Sequence, residues 1–137
     1  MLSRAQMLIA ALWGGLLLCV ALLAAPSAFA VLERTQAGLV VARLFALEAN
    51  VSMMAALLLI LIERRLATAT LGANLLLPAG ALFCTVAGYF ALQPLMAAAK
   101  TGQGTLSFLT LHAISFGFFG LKTLLVLALA WRASQVR

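Results

Sequence analysis

Arg43, Glu48 and Asn50 interrupt an otherwise apolar run, Ala37–Arg65, that reads AGLVVARLFALEANVSMMAALLLILIERR. A guanidinium, a carboxylate and an amide in such a run suit one of two kinds of chemistry. They can line a polar pathway for an ion or ligand, or they can bind neighbouring helices to one another as structural glue. As a helix the run is about 44 Å long at 1.5 Å per residue, enough to cross a bilayer with a tilt. An ionised group at bilayer depth costs roughly 2.5–3.5 kcal/mol on insertion scales, so these side chains call for partners on other helices. Arg43 and Asn50 are seven residues apart and share one helix face, whereas Glu48 lies about 140° from Arg43. Glu48 is therefore a poor partner for Arg43 within the helix.

Three other stretches supply the remaining candidates. Tyr89 and Gln93 lie in one and His112, Ser115 and Lys122 in another. Arg43, Tyr89, Gln93 and His112 are expected at similar depth, about 10 Å below one boundary, where they would converge if their helices turn the right faces. Lys122 is expected within about one turn of the level of Glu48, either paired with it or snorkelling to the interface. Arg43 is open to snorkelling, to pairing across helices and to ligand or ion contact. His112 fits a hydrogen-bonded bundle histidine better than a ligand, and as the single histidine of the chain it excludes bis-histidine haem within one subunit. Cys19, Cys84, Met53, Met54, Met96 and His112 could in principle form a soft copper(I) site, although methionines and thiols are ordinary filling in apolar bundles. The two cysteines have no CxxC or Cys/His spacing and read as unpaired thiols. With three acidic residues in the chain, and no nucleophile–base set, paired carboxylates or phosphate loop, no enzymatic activity and no cofactor are expected.

The elements that must hold these residues follow from composition. Of 137 residues, 66% are apolar and 9% charged, and the mean hydropathy is +1.17. A soluble domain has about 45–50% apolar and about 25% charged residues, so that class is excluded. The net charge of +6 reflects nine basic residues that form no stripe and mostly sit at expected helix ends, which is a topology signal and not a nucleic-acid surface.

Four spans are expected, over residues 5–32, 36–65, 74–98 and 106–132, in a single membrane domain covering 1–137. The first imitates a secretory signal peptide, with Arg4 at its start and Ala28-Phe29-Ala30 as a cleavage-like site. Its apolar run Met7–Ala25 is longer than the usual core of a signal peptide, so it reads as an uncleaved span in which Pro26 kinks the helix or frees a carbonyl. Glu33–Gln36, Ala67–Ala73 with Thr68 and Thr70, and Lys100–Gly104 are the connections. Small residues at Gly80, Cys84 and Gly88, and again at Ala113 and Gly117, have the spacing that lets membrane helices approach closely. The fold class is thus all-α, a polytopic integral membrane protein built as an antiparallel four-helix transmembrane bundle. Five basic residues (Arg4, Arg64, Arg65, Arg132, Arg137) lie on the side of the two termini and two (Arg34, Lys100) on the other, which places both termini in the cytoplasm of a bacterial inner membrane.

Ala25-Pro26-xx-Phe29, Ala37-Gly38, Arg43-Leu44-Phe45-xx-Glu48, Gln93-Pro94-Leu95-Met96 and Leu111-His112-xx-Ser115 follow one another along the chain. In this order and spacing they resemble a family of small bacterial membrane proteins, domain of unknown function 4149, related to the eukaryotic transmembrane protein 205-like proteins. The resemblance implies a four-helix membrane bundle with a pattern centred on Pro26, Gly38, Arg43, Phe45, Glu48 and His112, and Lys122 is atypical of it. It implies no reaction, substrate or cofactor. Two functions remain in view. One is a non-enzymatic binding or accessory subunit that contacts the lipid bilayer and either a second copy of itself or a larger membrane complex. The other is a small transporter or ion- or metal-handling protein using Arg43, Glu48, Asn50 and His112.

Overall fold

The computed structural model describes residues 1–66 and 71–135. Four helices, each long and apolar enough to cross a membrane, account for nearly all of them: Leu2–Val31, Arg34–Leu66, Ala73–Lys100 and Phe108–Ser134. They are called the first to fourth helix below. The protein is a multi-pass membrane protein of the all-α class. Ala67, Thr68 and Thr70 of the expected second connection, and Arg137, lie outside the described residues.

The second and fourth helices have no proline and run without interruption. The first and third do contain proline, and a wide turn lies just before Pro26 and again before Pro94. Pro26 offers no N–H, and its ring would press on the carbonyl four residues earlier. The helix widens just before it, over Val20–Ala24, so that the Ala25 N–H reaches back to the Val20 carbonyl, five residues away. The third helix repeats the device before Pro94, with a wide turn over Val86–Phe90 and the Ala91 N–H donating to the Val86 carbonyl at 2.8 Å. Such single wide turns shift the register of the following backbone without breaking the helix. The third helix consequently continues past Gln93 and Pro94 to Lys100. After it, Gly102 (φ +74°) and Gly104 (φ +125°) adopt conformations that strain other residues, and Ser107 caps the fourth helix by accepting from the Thr110 N–H.

The first helix packs against the second and the fourth, and the third against the same two, so the helices form a closed four-sided bundle in chain order. Short connections make consecutive helices antiparallel. The core takes residues from all four: Ala10, Trp13 and Leu17; Ala56 and Leu59; Ala81; Val126 and Leu129. Outward-facing Leu12, Leu22, Leu109, Phe116 and Leu124 are each more than half exposed. Lipid tails are as apolar as leucine, so this packing gains little from the hydrophobic effect and depends on close van der Waals contact and internal hydrogen bonds.

Close contact is visible between the third and fourth helices. A Cβ on Gly88 would sit 2.3 Å from the Phe118 Cβ, and one on Gly80 would sit 3.1 Å from a Leu125 methyl. Cys84, between them, is buried. The other small-residue pair behaves differently from expectation. Ala113 and Gly117 are exposed, and a Cβ on Gly117 would meet nothing within 4 Å, because the fourth helix turns this face away from the bundle.

Candidate functional site

Glu48 and Ser52 are one turn apart on the inward face of the second helix, near its middle. Lys122 lies near the middle of the fourth helix, diagonally across the bundle. Its aliphatic stem is long enough to carry the ammonium over the axis, and Nζ reaches Glu48 Oε1 at 2.7 Å. The two side chains are only 3% and 2% exposed. Ser52 Oγ donates to the same carboxylate oxygen. Trp13 Nε1 of the first helix donates to Ser52 Oγ at 2.8 Å. Phe119 offers its ring face to the ammonium, 5.0 Å from the centroid, and is itself met edge-on by Phe45 at 5.3 Å. An indole, a hydroxyl, a carboxylate and an ammonium thus form one chain across three helices. Each member gives or accepts at least one bond, which is the condition for burying charge at low cost.

A second polar layer closes the end of the bundle that carries both termini. Gln6 Nε2 donates to Glu63 Oε2 at 2.7 Å, with both residues buried. Arg132 Nε donates to Asn74 Oδ1 at 3.0 Å. These pairs draw one residue from each helix. Between this layer and the first lies the apolar core of Ala10, Ala56, Leu59, Val126 and Leu129. A smaller polar contact joins the third and fourth helices in the other direction, where Ser115 Oγ donates to the Gly88 carbonyl at 2.6 Å. Among the described residues no buried side-chain nitrogen or oxygen lacks a partner.

The expected layer of Arg43, Tyr89, Gln93 and His112 is not assembled. Arg43, Gln93 and His112 are exposed, and among the described residues none of the four is hydrogen-bonded to another. His112 stacks on Phe108 at 5.8 Å, and Tyr89 meets Phe90 edge-on. The reason is angular: once Glu48 turns inward, Arg43, about 140° round the helix, must turn outward. Asn50 goes with it and donates only to the Ala46 carbonyl of its own helix, at 2.8 Å. The copper(I) set is dispersed likewise, with Cys19, Met54 and His112 exposed and Cys84 and Met96 buried. No three His, Cys, Asp or Glu side chains among the described residues gather closely enough to hold a metal ion.

Sequence reasoning missed Trp13, Ser52, Gln6 and Asn74. Ser52 carried a usable signal, since it stands four residues from Glu48 on one face. Trp13 carried none, because a tryptophan in an apolar helix is as often an interfacial or packing residue.

The fold and its buried charge pair define a class, the small polytopic membrane bundle with an internally neutralised polar core. Residues 7–105 match the family described as Domain of unknown function (DUF4149), more than half of the chain, and the protein belongs to that family. No curated protein and no solved structure matches the chain. The matched segment includes Trp13, Glu48, Ser52 and Cys84, whereas Lys122, which completes the ion pair, lies beyond it.

Proposed function

We propose that this protein is a non-enzymatic accessory or binding subunit of an assembly in the bacterial inner membrane, with both termini cytoplasmic. The observation that carries the reading is how the polar side chains are divided. Most of the buried ones are engaged with each other, in Trp13–Ser52–Glu48–Lys122 and Gln6–Glu63, which is the arrangement of structural glue, while Thr85 and Thr123 donate to carbonyls of their own helices. The outer surface, by contrast, carries the exposed Arg43 and Asn50 in the spanning part of the second helix. The excess of basic residues near the termini supports the orientation. Neither catalysis nor a cofactor belongs to this reading. Gentle detergent purification from the native membrane, with mass spectrometry of co-migrating chains, tests it. Stoichiometric partner chains are expected, and a lone monomer would overturn it.

A transporter reading draws on one specific observation, the buried titratable pair Glu48–Lys122 near mid-helix, since such pairs mark ion and proton pathways. It predicts that Glu48→Gln abolishes a measurable flux without loss of expression. The apolar core between the two polar layers weighs against it.

A further inference from the structure

The outward face of the second helix carries polar as well as apolar residues. Arg43, Leu47, Asn50, Met54, Leu57 and Leu61 follow the spacing four, three, four, three, four, and all six are exposed. This is the four-three spacing of one helix face, the seam a partner helix would follow along its length. Over the lower half of the seam lies an open groove of about 550 Å³ with apolar walls, formed with Ile9 of the first helix and including Met54, Leu57 and Leu61. Over the upper half the seam is polar. Asn50 is the central residue of the helix Arg34–Leu66, so a bilayer centred on that helix would hold its amide near the mid-plane, with its oxygen and one N–H unspent. Arg43 is about 10 Å from that level, still within a hydrocarbon layer about 30 Å thick.

The charge on this face determines what can cover it. Among the described residues Arg43 makes no ion pair or hydrogen bond. The chain has three acidic residues. Glu48 is bound to Lys122, Glu63 is bonded to Gln6, and Glu33 lies ten residues, about 15 Å, from Arg43 along the helix axis. A second copy docked in parallel would therefore bring Arg43 against Arg43 with no carboxylate at that level. We propose that this seam is the docking surface for a membrane helix of a different protein, one that lays an apolar stripe into the groove beside Met54 and Leu61. That helix carries a carboxylate at the level of Arg43 and a hydrogen-bonding side chain at the level of Asn50. The inference rests on the accessory-subunit reading and gives it a surface and a partner chemistry.

The experiment places a photoreactive amino acid at Leu47 or Met54 of the full chain in its native membrane, with Leu124 on the fourth helix as control, and identifies the adducts by mass spectrometry. The result expected is one polypeptide, captured at Leu47 and Met54 but not at Leu124, whose spanning segment contains Asp or Glu. Arg43→Leu should lower the adduct yield about tenfold, equivalent to one interhelical polar contact of 1–2 kcal/mol. Arg43→Glu should abolish it, and exchange of the partner carboxylate for arginine should restore it. An adduct of twice the chain's own mass, adducts with lipid alone, a partner segment lacking an acid, or a yield indifferent to Arg43→Leu each overturns the proposal. If partner chains co-purify yet none is captured at this face, the surface is refuted and the accessory reading stands. If none co-purifies either, both fall.

Discussion

The second helix carries polar side chains on two faces that share a membrane depth and differ in everything else. Inward, Glu48 and Ser52 are buried and bound to Lys122 and Trp13. Outward, Arg43 and Asn50 are exposed, and Asn50 reaches only its own backbone. The cost of a polar group in an apolar medium applies to both faces. Inside, it is offset by partners on other helices, and the polar groups thereby fix which helices face each other. Outside, among the described residues, no side chain of another helix offsets it, and on the proposal above a partner helix does. Structural and functional polarity are thus distinguishable here by whether the bonding is closed.

The sharpest way to break this contrast is to open the closed side. Lys122→Met leaves the Glu48 carboxylate buried without its cation, and Glu48→Met leaves the reverse. Each is expected to destabilise the bundle by about 3–5 kcal/mol, while the double variant should be neutral or more stable than the native protein. Unfolding in mixed micelles, run as a double-mutant cycle, measures all three. If the singles are additive in the double, the pair is not coupled and the inward face is not closed in the sense argued above.

Next comes the packing that lets the charges meet. Gly88→Ala would put a methyl 2.3 Å from the Phe118 Cβ, an atom that cannot move without its backbone. The third and fourth helices would have to separate, at about 1–3 kcal/mol. Gly117→Ala on the outward face meets nothing and should be silent. The same unfolding assay distinguishes them. A smaller effect is expected at the end of the hydrogen-bond chain. Trp13→Phe removes the donor to Ser52 and should cost about 0.5–1.5 kcal/mol. The exposed Trp131 serves as control, where the same change should be silent to within about 0.5 kcal/mol.

The four helices were legible because continuous apolar runs broken by Glu33–Gln36 and Lys100–Gly104 leave little choice of architecture. Pairing of Glu48 with Lys122 was legible as one of two alternatives, from their common depth. What could not be read was rotation. The helices are apolar almost all round, so hydropathy does not say which face of the second helix turns inward, and the choice between Glu48 and Arg43 decides the whole site. The wide turns before Pro26 and Pro94 were illegible for another reason. Sequence marks where an N–H is missing but not where the backbone inserts the extra residue that answers it. Trp13 and Ser52 became a pair only once the first and second helices were packed.

The smallest expected effect on stability carries the most weight for function. Arg43→Leu and Asn50→Leu remove exposed polar groups that, among the described residues, make no hydrogen bond or ion pair to another helix, and in isolated detergent-solubilised protein each should shift unfolding by no more than about 0.5 kcal/mol. Replacing a polar side chain on a lipid-facing surface should, if anything, ease insertion. A substitution that leaves the lone protein as stable as before and still removes a binding partner from the native membrane separates the two faces cleanly. A loss of about 2 kcal/mol or more in the isolated protein would mean that Arg43 is bound within the bundle, and the outward face would then be as structural as the inward one.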